Sequence, residues 1–118
     1  MKTKLSNILE TNKTVKFAYL FGSYAEDTQT EKSDIDIAVY LRDSSLDMRL
    51  ELHHQLEKAL KKDVDLVVLN GVKNIYLLEN ILHKGIVLVD HESRALFEVK
   101  KQHEIIDFKN FRRYIDAA

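Results

Sequence analysis

Apolar and polar positions change period several times along the chain, from the alternation of strands to the three-and-four spacing of helices. The run Phe17-Ala18-Tyr19-Leu20-Phe21 reads as a strand that delivers the chain to the pair Gly22-Ser23. Asp34-Ile35-Asp36-Ile37-Ala38-Val39 alternates strictly, so a second strand there shows Asp34 and Asp36 on one face and Ile35 and Ile37 on the other. Residues 62–69 form a third strand candidate, closed by the turn pair Asn70-Gly71, and residues 86–89 a short fourth. Helical spacing occupies residues 3–12. It returns from a cap at Ser44 or Ser45 to about Lys61, with Leu52, Leu56, Ala59 and Leu60 on one side. Residues 72–84 repeat it with Ile75, Leu78, Ile81 and Leu82 inward and Gly85 just past the end. The segment Tyr24-Ala25-Glu26 is too short and acidic to be read as a helix.

From a cap at Ser93 to the C-terminus the pattern predicts one long helix. Its apolar residues, Leu96, Phe97, Val99, Ile105, Ile106, Phe108, Phe111, Tyr114 and Ile115, spread over more than one face. Two readings stay open for it. Both sides pack within the domain, or one face docks onto a partner protein or a second copy. Strands interleaved with helices predict an α/β (α+β) fold, a small sheet of about four strands flanked by helices. The chain has no repeats, no proline and three glycines in 118 residues, so no linker divides it and a single domain over 1–118 is expected.

Composition narrows the function classes. A formal net charge of −1 argues against tight binding to a nucleic-acid backbone, which needs a clustered basic surface. There is no cysteine, hence no disulfide or thiol chemistry. No apolar stretch approaches the roughly 20 residues that span a membrane, and the N-terminus lacks a signal-peptide core. A cytoplasmic location is the expectation.

The chemistry concentrates between residues 22 and 65. Asp34 and Asp36 repel unless a cation sits between them, and a hard divalent ion takes such oxygen ligands while leaving room for phosphate oxygens. Gly22 lets backbone approach a phosphate and Ser23 adds a donor. Asp63 and Asp65 share a face on the third strand. Asp65 lies deeper in the apolar run and is the better third carboxylate, while Asp63 reads as a solvated strand entry beside Lys61 and Lys62. A two-metal phosphoryl-transfer site needs such a cluster. His53 and His54 are adjacent in a helix and do not share a face, so they make no metal site, and His83, His91 and His103 have no partner at ligand spacing. Arg42 and Tyr24 are placed by sequence alone as possible nucleotide contacts.

Gly22-Ser23, ten residues, Asp34-x-Asp36, then Val64-Asp65-Leu66-Val67 resembles the minimal nucleotidyltransferases (MNT proteins) of the DNA polymerase β superfamily. The resemblance runs from about Phe17 to Asp90. It implies a polymerase-β-like fold with a small mixed sheet, Asp34, Asp36 and Asp65 as catalytic metal ligands for two Mg²⁺ ions, and Gly22 and Ser23 as the holders of ATP. It further implies an antitoxin paired with a HEPN ribonuclease toxin, attaching AMP to a tyrosine of that partner. The family often reads Gly-Ser-x-Ala-Arg-Gly, where this chain has Glu26 and Asp27. Two alternatives stand beside it: a non-catalytic antitoxin that works by docking, and a small-molecule nucleotidyltransferase. The chain is too short to carry a fused substrate domain, so the acceptor, in a homo-oligomer or a hetero-complex, is expected to come from outside.

Overall fold

The computed structural model describes residues 1–117. Its elements run α1 (Lys2–Thr11), β1 (Val15–Phe21), α2 (Ser23–Glu26), β2 (Ile35–Leu41), α3 (Leu46–Leu60), β3 (Val64–Val68), a 3₁₀ turn (Leu69–Gly71), α4 (Ile75–Lys84), β4 (Ile86–Val89) and α5 (Ser93–Ala117). The four strands form one sheet in the order β3-β2-β1-β4. β1 pairs antiparallel with both β2 and β4, and β2 pairs parallel with β3. The sheet is therefore mixed, as the resemblance implies.

Alternation along the strands sorts the core into two layers. Leu20, Ile35, Ile37 and Val39 face Leu5 and Leu9 of α1 and Leu52 and Leu56 of α3. Phe17, Tyr19, Phe21 and Ala38 face Leu78 and Ile81 of α4 and Ile105 of α5. Both faces of β1 and β2 are thus covered, which is why these strands read as nearly continuous apolar runs. Asp36, two residues before Ala38, falls on the α4–α5 side of the sheet.

Local chemistry sets the helix boundaries. Ser45 Oγ accepts from the Met48 N–H at 3.4 Å, the cap expected for α3. α4 begins three residues later than its apolar pattern, at Ile75, where Asn74 Oδ1 accepts from the Leu77 N–H at 3.1 Å. Just upstream, the 3₁₀ turn is tied to the sheet. Asn70 Oδ1 accepts from Leu41 N–H at 2.9 Å and its Nδ2 donates to Leu41 O at 2.7 Å, fastening the 3₁₀ turn to the end of β2. Asn70→Ala leaves both backbone groups without their partner and is expected to cost about 1–3 kcal/mol, read as a drop in urea midpoint at unchanged slope.

Gly85 follows α4 as expected but in an extended conformation (φ −69°, ψ 150°), not the left-handed one. A side chain there would meet Ile81 O and the Tyr19 ring, so close approach, and not handedness, calls for glycine. At α5, Ser93 is the first helical residue and not the cap. His91 Nδ1 accepts from its N–H at 3.0 Å. The buried Tyr19 hydroxyl donates to Glu98 Oε1 at 2.6 Å, and Arg94 bridges Glu98 and Asp90, tying α5 to the sheet. Burial and the Glu98 acceptor push the Tyr19 phenol up, so it stays a donor.

The two readings of α5 divide by face, because Leu96, Val99 and Ile106 are exposed on the near half while their neighbours pack inward. Phe97 and Ile105 pack on the sheet, and Phe108 meets Tyr76 edge-to-face at 5.9 Å. Beyond them Phe111, Tyr114 and Ile115 stand 51–76% exposed, on a helix end that stretches the molecule to 51 Å.

Candidate functional site

At the end of β1 the backbone turns at Gly22 with φ 69° and ψ −152°, a region open almost only to glycine. A Cβ there would overlap Asp36 Oδ2 and stand 3.0 Å from its Cγ. Gly22 is therefore the floor against which the Asp36 carboxylate lies. Asp36 reaches it because the antiparallel register sets it opposite Phe21.

The parallel register brings in the next acid. Asp36 pairs with Asp65, side by side on neighbouring strands. Asp34 stands one residue ahead of β2, whose first amide, Ile35 N–H, donates to Asp63 O at 3.0 Å. Asp63 thus contributes its backbone carbonyl to the start of the β2–β3 pairing, one step before the register that holds Asp65 against Asp36.

Electrostatics mark this place. Burial raises the Asp36 carboxyl above the usual carboxylate range, and the charges of Asp65 and Asp34 raise it further. Asp36 is half-buried while Asp34 and Asp65 are exposed. Among the described residues no group of three or more His, Cys, Asp or Glu side chains is placed to hold a metal ion. The acids meet as a repelling set of oxygen donors around Asp36, the donor chemistry that a hard divalent cation relieves.

Gly22-Ser23 opens a single helical turn, α2, which the sequence had left unread because four residues carry no period. Gly22 O accepts from the N–H groups of Ala25 and Glu26, each at 3.1 Å. Asp27 closes the turn at φ 58°, ψ 36°, a left-handed position that Asp tolerates better than most residues. Glu26 lies 3.4 Å from Lys84 Nζ, the last residue of α4. The two acids that depart from the family pattern are therefore a turn closure and half of an ion pair.

Two sequence candidates fall away from the site. Arg42 follows β2 at the end opposite Asp36, about 20 Å along the strand at 3.3 Å per residue, where its N–H donates to Thr14 O at 2.7 Å. Tyr24 packs into the α1–α3 layer, with Lys62 Nζ 6.0 Å from its ring centre. The histidines stay structural or exposed, with His53 Nε2 2.7 Å from Val64 O. Lys84 was missed. Its partner Glu26 belongs to a distant segment, and nothing in the local pattern links them.

Residues 3–94 match the family model described as Polymerase beta, Nucleotidyltransferase. The chain is similar to the protein adenylyltransferase MntA of Shewanella oneidensis, 38% identical over 115 residues, covering 96% of this chain and 76% of the relative. A crystal structure of a toxin–antitoxin with AMP-PNP contains a chain 34% identical, with TM-score 0.82 over 98% of this chain and 95% of that one. A tri-AMPylated Shewanella oneidensis HEPN toxin in complex with its MNT antitoxin contains another, 30% identical, TM-score 0.75, covering 98% and 92%. Among the described residues no helix is long and apolar enough to cross a membrane.

Proposed function

The chain belongs to the polymerase β nucleotidyltransferase family, and from that premise we propose that it transfers AMP from ATP to a tyrosine hydroxyl of a HEPN-type ribonuclease toxin, acting as the antitoxin. The observation that carries this reading is the register that sets Asp65 beside Asp36 and Asp36 against Gly22. Similarity over nearly the full chain to an antitoxin crystallised with an AMPylated toxin supplies the acceptor class.

Asp34, Asp36 and Asp65 hold Mg²⁺ in this reading, two ions in all, and Gly22 and Ser23 hold the triphosphate. Bound Mg²⁺ supplies charge neutralisation on the phosphates and on the leaving pyrophosphate. The acceptor oxygen bonds to the α-phosphorus, the bond from that phosphorus to the bridging oxygen breaks, and pyrophosphate leaves. Asp65 stands on the exposed edge strand, open to an incoming hydroxyl, and favours loss of its proton. Asp36 and the Gly22 floor fix the geometry, so catalysis is positioning plus electrostatics. Dependence on ATP and Mg²⁺ fits a cytoplasmic protein.

Incubation of the chain with its HEPN partner, Mg²⁺ and ATP labelled at the α- or γ-phosphate tests the reading. Label from the α position is expected on the partner and none from the γ position. Asp34→Ala/Asp36→Ala is expected to leave the partner unlabelled. A second reading rests on the exposed Phe111, Tyr114 and Ile115 at the end of α5. Docking through that end alone would neutralise the partner, and the double variant would then still suppress ribonuclease activity.

A further inference from the structure

We infer that Lys84 grips the terminal phosphate of ATP, exchanging its Glu26 partner for the nucleotide; this rests on the nucleotidyltransferase reading and deepens it.

The strand order sets Asp65, Asp36 and Gly22 in a row across the end of the sheet, and α4 ends beside them. Asp65 on β3 neighbours Asp36 on β2, and Asp36 lies against Gly22 at the end of β1. On the other side, β4 pairs Ile86 with Leu20 near the end of β1, and Lys84, two residues before Ile86, reaches Glu26 of α2, the helical turn that Gly22 opens, at 3.4 Å. The carboxylates thus occupy one flank of Gly22 and an ammonium the other. Lys84 ends α4, which packs Leu78 and Ile81 on the sheet face that carries Asp36. The tight backbone approach of Gly85 to Ile81 O fixes where α4 stops, and so where Lys84 projects.

A nucleoside triphosphate laid across Gly22 with its metal-bound oxygens toward Asp36 would extend its free end toward Lys84. That end carries the most negative charge and meets the ammonium, a compact cation with three donors. Lys62, the basic residue that precedes β3 by two positions, is engaged elsewhere. Lys62 Nζ donates to Glu31 O at 3.3 Å and covers Tyr24, which packs into the α1–α3 layer on the opposite face. The present partner of Lys84 is easily surrendered. The Glu26–Lys84 pair is exposed, 38% and 58%, and such pairs hold weakly. Glu26 stands where a phosphate oxygen would, and its charge competes with the nucleotide for the same ammonium.

Titration calorimetry of the purified chain with MgATP and with MgADP tests the assignment without requiring turnover. Lys84→Ala is expected to weaken MgATP binding about tenfold, the scale of one lost charge-assisted hydrogen bond, with MgADP affected much less. Lys84→Arg should stay within about threefold of the parent by keeping the charge. Glu26→Gln should tighten MgATP binding, an effect that a merely structural ion pair would not give. Equal losses for both nucleotides in Lys84→Ala, or parental MgATP affinity, overturn the role of Lys84 in a chain that still modifies its partner. Absence of MgATP binding by the unaltered chain instead overturns the nucleotidyltransferase reading on which the role rests.

Discussion

Asp36→Asn is expected to lower AMP transfer by about 10³-fold, the several kcal/mol that a metal-bound carboxylate contributes to charge stabilisation, and to yield a chain that melts a few degrees higher. The second half follows from the first. Asp36 is half-buried, beside Asp65 and Asp34, and burial with those two charges raises its carboxyl above the ordinary range. A raised carboxyl binds its proton more tightly in the folded chain than in the unfolded one. Stability therefore falls as pH rises through the raised value, and the ionised group is a cost at neutral pH. Asparagine removes that cost at near-constant shape. The gain should be present at neutral pH and vanish once the pH drops below the ordinary aspartate value of 3.8. Thermal melts across pH check the sign. Mg²⁺ should raise the melting temperature of the parent and not of the variant, because the ion binds the folded state through the acids it neutralises.

Gly22→Ala is expected to fail on both stability and activity. The glycine sits at φ 69° and ψ −152°, where any side chain costs about 1–3 kcal/mol, and the added methyl would overlap Asp36 Oδ2. For a domain of this size the melting temperature should fall by about 5–10 °C. The variant can fold only by moving Asp36 off its floor, and a displacement on the order of 1 Å at a metal ligand costs about 10²-fold in rate. Activity measured well below the lowered melting temperature should show that loss. Asp36→Asn and Gly22→Ala thus move stability in opposite directions while both reduce transfer.

Much of this was legible from the sequence because the sheet is covered on both faces. The alternation of Asp34–Val39 and the runs at 17–21 and 86–89 marked three strands, since burial leaves little freedom in which residues turn inward. That Asp65 lies further into its strand than Asp63 was legible, and the register sets it beside Asp36. The order β3-β2-β1-β4 and the parallel pairing of β2 with β3 were not legible from periodicity, which records faces and says nothing of neighbours. Short features escaped for a different reason. α2 has four residues, and α4 starts late because Asn74 caps it, its side chain accepting from the Leu77 N–H. The conformation of Gly85 depends on the backbone it touches, and the pairing of Lys84 with Glu26 on a contact between distant segments. On α5 both readings had a part: Phe97 and Ile105 pack on the sheet, while Leu96, Val99 and Ile106 on another face and Phe111, Tyr114 and Ile115 at the far end stay in solvent.

Intact-mass spectrometry of the HEPN partner, after incubation with MgATP and the purified chain, tests the central claim most directly. The account predicts that the partner gains one or more adenylyl groups on tyrosine, that the gain requires Asp34, Asp36 and Asp65, and that ribonuclease activity falls as the modified species accumulates. A partner whose mass is unchanged while its ribonuclease activity is nonetheless suppressed would contradict it.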